Sequence, residues 1–393
     1  MKRFFAVALI SALPFACAPA ETPPPAPTLA MEEGSWAEAL GAGITDAYAA
    51  PEHRAFDFWI GEWDANWRSR PEGEFYHEKE GSWTHQRVFP VLGGKALIEL
   101  SWARDNPEEP GQRGFSIRYY DPARERWVMA QNWPNAQNHG GAFTDQLIGE
   151  DHLGRLTMYS LVERPQEDGS LSVAHRRYNF TDIRPGVSFR WDGSNTPDKG
   201  ATWFTWYVVD FHRLGDVSPF GAAGTDFHGV HGKTLCTEDP HGAMNGLAGD
   251  WEGVRADADG AETPARFSAG LVLDGCGVLA ALETADAREI LAAGYYDRFE
   301  KWAIFRLDDR PGATHSYFVS DAAGEGAVFA EAQGLAIVDE FEPYLRAASF
   351  ETDGAGRRLS FETIAARELI LREESRSADG AWSVDAQYRF QRR

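Results

Sequence analysis

Residues 61–213 break into short runs in which apolar and polar side chains alternate, each closed by turn-forming residues. In Leu97–Trp102, the side chains of Leu97, Glu99 and Ser101 fall on one face and those of Ile98, Leu100 and Trp102 on the other. In Val173–Phe180, His175, Arg177 and Asn179 share one face, and Arg176, Tyr178 and Phe180 share the other. A period of two is the mark of a β-strand. Such runs near 63–69, 75–89, 95–103, 113–120, 126–133, 143–149, 155–162, 171–181, 186–192 and 202–213 predict about ten strands. Asp105-Asn106-Pro107, Asp121-Pro122-Ala123-Arg124 and Asp192-Gly193-Ser194-Asn195 supply turn chemistry between them. The helical candidates are confined to 36–49 and a turn around Phe56–Ile60. Many short strands without intervening helices predict an all-β chain whose antiparallel sheet closes into a barrel.

The pattern then repeats. Gly61-Glu62-Trp63-Asp64 returns as Gly249-Asp250-Trp251-Glu252, and Val91-Leu92-Gly93-Gly94 returns as Val272-Leu273-Asp274-Gly275. Tyr119-Tyr120-Asp121 with Trp127 returns as Tyr295-Tyr296-Asp297 with Trp302. Trp203 with Phe211-His212-Arg213 returns as Trp382 with Phe390-Gln391-Arg392. The offsets of 188, 181, 176 and 179 residues drift by only a few small insertions. Four anchors in one order predict a tandem duplication, with barrels of about 8–10 strands over 52–214 and 245–393 and a linker over 215–244.

The amino terminus reads as an address. Lys2 and Arg3 precede an apolar run from Phe4 to Phe15, and Ala18-Pro19-Ala20 offers a cleavage site, so 1–20 is expected to be a secretory signal peptide. Leu13-Pro14-Phe15-Ala16-Cys17 loosely resembles a lipoprotein box, which leaves open a lipid anchor at Cys17 as the one route to a membrane. Residues 21–51 are expected to form a Pro-rich tether and a short helix. A periplasmic or secreted location follows, and Cys236 and Cys276 then stand as either a disulfide or two inert thiols. A net charge of −22, from 38 Lys+Arg against 60 Asp+Glu, argues against a nucleic-acid partner. Cleavage after Ala20 would take two cations and no acid, leaving −24.

Gly61-x-Trp63 and Gly249-x-Trp251, each opening a run of short strands, resemble the lipocalin-like (calycin) superfamily. The resemblance implies that an Arg from each last strand, here Arg213 and Arg392, lies over the Trp ring and closes one end of the barrel. Phe56-Asp57-Phe58-Trp59-Ile60-Gly61-Glu62-Trp63-Asp64 is further similar to the opening of an uncharacterised family of secreted bacterial proteins. Tyr120-Asp121-Pro122 with Trp127, and Gly200 with Thr202-Trp203, extend that likeness through the first copy. The second copy keeps only the skeleton, with Arg298 in place of the proline.

Aromatic residues make up 13% of the chain, and beyond the repeat anchors its tryptophans concentrate in the first copy. That asymmetry points either to a ligand cavity or to a packed filler there. A small apolar or aromatic ligand is expected to meet some of Trp83, Tyr119, Trp127, Trp133 and Trp191. His85, His175 and Arg177 are the candidate polar groups beside them, if the polar side of the strand bearing the last two faces the lumen rather than water. Barrels of the nitrobindin type hold haem through one lumenal His and are similar in strand number, but no motif carries that ligand to a histidine here, and no cofactor is expected. His228, His231, Cys236 and His241 match no common zinc spacing and read as linker. Glu99 and Asp121 could serve as acid and base, yet a solvated strand face explains the Leu97–Glu99–Ser101 side without catalysis. Asn138-His139-Gly140-Gly141 is either a portal loop or an ordinary one.

The chain lacks a Gly-x-Ser-x-Gly elbow, a phosphate-binding glycine loop and a dinucleotide fingerprint. The leading expectation is an exported binding protein with its cavity in the first barrel. The rivals are a hydratase, isomerase or hydrolase acting on a lipid-like or saccharide substrate, and a non-catalytic envelope module. Tandem lipocalin-like proteins that hydrate carotenoids make the enzyme a fair rival, though no motif transfers their chemistry.

Overall fold

The alternating runs pair in sequence order. The structure, a computed structural model, describes residues 35–69, 82–103, 113–132, 146–152, 155–165, 171–198, 200–217, 236–296, 300–332, 336–337, 345–346 and 355–393. Strands β1 (Gly61–Ser69), β2 (Ser82–Val91), β3 (Ala96–Ala103), β4 (Arg113–Asp121) and β5 (Arg126–Asn132) form antiparallel neighbours. They continue through β6 (Gln146–His152), β7 (Arg155–Pro165), β8 (Leu171–Arg184), β9 (Ser188–Thr196) and β10 (Phe204–Gly215). Because β10 pairs back onto β1, the ten strands form a ring.

The second copy closes likewise. Its wall begins with β11 (Gly249–Asp257), β12 (Glu262–Val272), β13 (Gly277–Glu283), β14 (Arg288–Tyr296), β15 (Lys301–Asp308), β16 (Ser316–Ser320) and β17 (Val328–Glu331). The chain then leaves this wall for β18 (Ala336–Ile337) and β19 (Leu345–Arg346). Strand β19 pairs in parallel with β7 of the first barrel. The second ring resumes with β20 (Arg357–Ile364), β21 (Glu368–Arg376) and β22 (Trp382–Arg392), which pairs with β11. The fold is all-β, with two closed antiparallel barrels at the upper end of the expected strand number.

The stretch expected as a helix over 36–49 forms one turn, α1 (Trp36–Ala39), with Ser35 Oγ accepting from the Glu38 amide at 3.3 Å. Gly41 at φ +63° ends it, since a left-handed residue cannot continue a right-handed helix. Short 3-10 turns at 46–48, 51–53 and 57–59 carry the chain to β1.

Two of the repeated tryptophan pairs have one job in both copies: they peg the incoming segment beneath the barrel. Trp63 Nε1 donates to the Trp59 carbonyl at 2.7 Å, and Trp251 Nε1 to the Leu247 carbonyl at 2.8 Å. Trp127 Nε1 donates to the Glu52 carbonyl at 2.9 Å, and Trp302 Nε1 to that of Pro240 at 3.0 Å. Farther along each wall, Arg177 lies 4.2 Å over Trp203 and Arg358 lies 4.3 Å over Trp382. The expected closure by Arg over Trp is built in the second barrel, where Arg392 sits 4.4 Å over Trp251. In the first, Arg213 faces Trp63 across the strand pair but turns its guanidinium to Asp216.

The two barrels share one apolar core. Ile98, Leu100 and Ile117 from the outer face of the first pack in one cluster with Leu279, Ile290 and Phe305 from the outer face of the second. Trp36 belongs to it too, and its ring lies so close to the Gly270 backbone that a Cβ there would stand 2.5 Å from it. Lys95 Nζ reaches across to the carbonyls of Asp308, Arg310 and Ala313 at 2.7–2.9 Å. Tyr119 Oη lies 2.6 Å from His315 Nδ1. Cys236 and Cys276 form a disulfide that ties the end of the linker to the β12–β13 turn.

Candidate functional site in the first barrel lumen

Alternation together with ring closure decides which side chains enter the first barrel. Trp63 and Ala65 on β1 are fully buried and point inward, so their partners Gln86 and Thr84 on β2 do as well. Register carries this to Ser101 opposite Gln86, Glu99 opposite Val88, Ser116 opposite Glu99 and Arg118 opposite Leu97. On the far wall it selects Arg176, Tyr178 and Phe180 on β8, with Trp191 opposite Phe180 on β9.

The lower lumen is packed with rings. Trp59 lies within 5.0–5.7 Å of Phe180, Phe189, Trp191 and Phe211, centroid to centroid. Phe189 and Phe211 stack at 4.1 Å. Trp191 also meets Trp67, Tyr178 and Tyr207 at 5.1–5.9 Å. Glycine is required at 193, where a Cβ would come within 2.2 Å of the Tyr207 ring. This is the filler reading of the aromatic excess, and it accounts for Trp127 and Trp191.

Above the floor the lumen turns polar. Arg118, fully buried, stacks 3.8 Å over Trp59 and donates to Glu99 Oε2 at 2.5 Å and to Ser116 Oγ at 2.6 Å. Ser116 Oγ donates to the same Glu99 oxygen at 2.7 Å. Burial pulls the Arg118 guanidinium down to about 10, with Glu99 opposing, so it stays charged at neutral pH. Both Gln86 amide atoms, Glu99 Oε1 and Ser101 Oγ have no hydrogen-bond partner among the described residues. Gln86, Glu99 and Ser101 are 0%, 2% and 0% exposed. Arg118 Nε and Nη1 are orphaned as well; leaving one such group unsatisfied costs about 1–3 kcal/mol, and a cluster of them facing one lumen needs an explanation.

The expected site residues are placed differently from one another. Trp83 and His85 point outward from β2, where His85 stacks at 4.5 Å on Trp102 and lies 3.6 Å from Glu62 and 3.8 Å from Asp64. Tyr119 is buried in the inter-barrel core rather than in the lumen. His175 and Arg177 do share a face, but it is the outer one; their neighbour Arg176 enters the lumen and donates to Tyr178 Oη at 3.0 Å. Trp133, Asn138–Gly141, His228 and His231 lie outside the described residues. Trp83, Tyr119, Trp127 and Trp191 therefore do not line a common cavity.

Glu99 reverses an expectation. The Leu97–Glu99–Ser101 side faces the lumen, not solvent, because the second barrel covers the opposite side. Asp121 is structural: its carboxylate accepts from the Ala123 amide at 2.9 Å and pairs with Arg124.

The second barrel differs. Val278, Ala280, Leu282 and Ile304 make its lumen largely apolar. Its Arg306 pairs with Glu289 at 2.5 Å and Glu373 at 2.8 Å. A pocket of about 340 Å³ lies beside Arg306, Arg310 and Arg357. Each of these arginines already has a carboxylate partner, so the pocket offers no surplus charge. Among the described residues no group of three His, Cys, Asp or Glu could hold a metal ion, and no helix is long and apolar enough to cross a membrane.

No protein-family model matches the chain, and no curated protein matches it significantly. Solved structures do. A protein of unknown function of the DUF3598 family from Nostoc punctiforme is 10% identical, covering 88% of this chain and 100% of its own, with a TM-score of 0.24. A putative AttH from Nitrosomonas europaea is 13% identical, covering 89% and 99%, with a TM-score of 0.17. A tryptophan-to-alanine mutant of the vaccine antigen transferrin binding protein B from Haemophilus parasuis is 8% identical, covering 84% and 75%, with a TM-score of 0.15. Superpositions this loose carry no functional conclusion.

Proposed function

We propose that the chain is an exported small-molecule-binding protein whose first barrel holds one ligand in its lumen. The observation that carries this reading is the set of orphaned, solvent-shielded polar atoms on Gln86, Glu99 and Ser101, all projecting into one barrel. Unpaired polar groups in a low-dielectric interior are costly, and a site that completes them on binding recovers that cost. The packed rings of Trp59, Trp67 and Trp191 give the site an apolar floor. A ten-stranded barrel is of the size that encloses packed side chains or one small ligand.

Export rests on the leader-like residues 1–20, and a disulfide at Cys236–Cys276 suits an oxidising compartment. Membership of the secreted family that opens with the Phe56–Asp64 motif belongs to the same proposal. The enzyme reading loses its histidines, since His85 and His175 both lie on the outer face.

Native mass spectrometry of the protein purified from the envelope of its own organism tests the proposal. A discrete added mass that is lost on unfolding, and lost in a Gln86→Leu variant that still folds, is the expected result. A bare polypeptide mass, with lumenal tryptophan fluorescence indifferent to an extract of the same cells, would overturn it.

A further inference from the structure

We infer that the lumenal subsite reads a neutral amide-like edge, a C=O beside an N–H as in a lactam, carried by a flat aromatic ligand. The inference rests on the binding reading above and specifies what is bound. Three observations lead to it. On β3 and β4, beside Gln86, the cation Arg118 and the carboxylate Glu99 are paired at 2.5 Å, and their side chains are 0% and 2% exposed. That pair is neutral as a unit, so an ionic ligand placed against it would bury a charge it does not compensate.

Gln86 presents a free acceptor and a free donor side by side, Oε1 and Nε2, and it is fully shielded. A carboxamide is self-complementary: its N–H can meet a ligand C=O while its C=O meets the adjacent ligand N–H. The other orphans of the cluster add donors and acceptors: Arg118 Nε and Nη1 can only donate. Glu99 Oε1 accepts only, and Ser101 Oγ, directly opposite Gln86 in the strand pairing, can donate or accept. A hydrocarbon would leave all of these atoms unsatisfied, whereas a ligand bearing an amide edge satisfies the Gln86 pair with its one N–H and one C=O. The flat body follows from the stacked and edge-on rings beneath, with Arg118 held over Trp59.

The test uses the full chain and three probes of one size, followed by tryptophan fluorescence and calorimetry. Quinolin-2(1H)-one carries the complete edge, 1-methylquinolin-2-one keeps the carbonyl but blocks the donor, and 2-naphthoate is a flat anion. The lactam is expected to bind at least about tenfold more tightly than either comparator, the consequence of hydrogen bonds that only it can complete. Gln86→Leu should reduce that preference to near parity, and Ser101→Ala, a milder change, should reduce it by a few fold. Melting temperatures of both variants establish that they fold.

Equal affinity for the lactam and its N-methyl form, or preference for naphthoate, would overturn the inference while leaving a binding barrel in place. Failure of all three probes would overturn it as well. The broader binding reading falls only if the envelope-purified protein also carries no added mass.

Discussion

Arg118 Nη2 stands 2.5 Å from Glu99 Oε2 inside the first barrel, with neither side chain meeting solvent beyond 2%. The pair spans adjacent strands β3 and β4 and roofs the aromatic floor through Trp59. Removing one partner leaves a buried charge alone. Arg118→Met is therefore expected to lower the unfolding free energy by about 3–5 kcal/mol. Glu99→Leu combined with Arg118→Met should recover a large part of that loss, because an apolar pair needs no compensation. Urea unfolding of the two single variants and the double one checks this; additive losses would show that the pair is not coupled.

His315 gives the inter-barrel contact a pH dependence. Burial, with a smaller contribution from Arg124, pulls its imidazole down to about 3, so the folded protein holds it neutral. Tyr119 Oη then donates to Nδ1 and accepts from the His315 amide at 3.3 Å. In the unfolded chain the ring titrates near 6.5, so between pH 6.5 and 3 the unfolded state binds the extra proton. Stability is unaffected above pH 6.5 and is lost as pH falls, at up to about 1.4 kcal/mol per pH unit from this group. A His315→Phe variant should flatten that part of the stability curve relative to the parent. An unchanged slope would exclude His315 as its source.

The Cys236–Cys276 disulfide closes a separation of 40 residues around the start of the second barrel. Chain-entropy arguments assign such a loop about 4 kcal/mol of stabilisation, acting mainly on the unfolded state. Replacing both cysteines by alanine should reduce stability by about 2–4 kcal/mol in calorimetry and leave the barrel signature in circular dichroism intact. Loss of the β signature would mean that the bridge is needed to form the second barrel at all.

Trp36 wedges the segment before the first barrel against the second. Its ring leaves no room for a Cβ at Gly270, and it is 1% exposed. Trp36→Ala should cost about 3–5 kcal/mol, the range for deleting a buried large aromatic. Gly270→Val should displace the ring and open residues 35–60 to limited proteolysis, which mass mapping of the fragments detects. Resistance equal to the parent would show that this segment is held by other contacts.

Much of the architecture was legible along the chain. The alternation in 61–213 and the recurrence of Trp63, Trp127 and Trp203 as Trp251, Trp302 and Trp382 announce two barrels, because strand period and short motifs are local properties. The same locality left the environment of two strand faces open to misreading. In β3 the polar side, Glu99 and Ser101, reads as solvated, and in β8 His175 and Arg177 read as candidate lumenal groups. Alternation says which residues share a face; it does not say what covers that face.

What covers it is decided in three dimensions. The outer wall of the first barrel is apolar at Ile98, Leu100 and Ile117 because the second barrel packs there, so the polar side of β3 must turn inward. Arg118, Gln86 and Ser101 carry no motif and are scattered over strands β2–β4; ring closure and register bring them to one place. The amino-acid sequence alone determined the strand rhythm, encoded within each short run, and the doubling, encoded in motifs of a few residues that recur. Only the tertiary structure decided which faces became interior, since that depends on how the two halves of the chain meet.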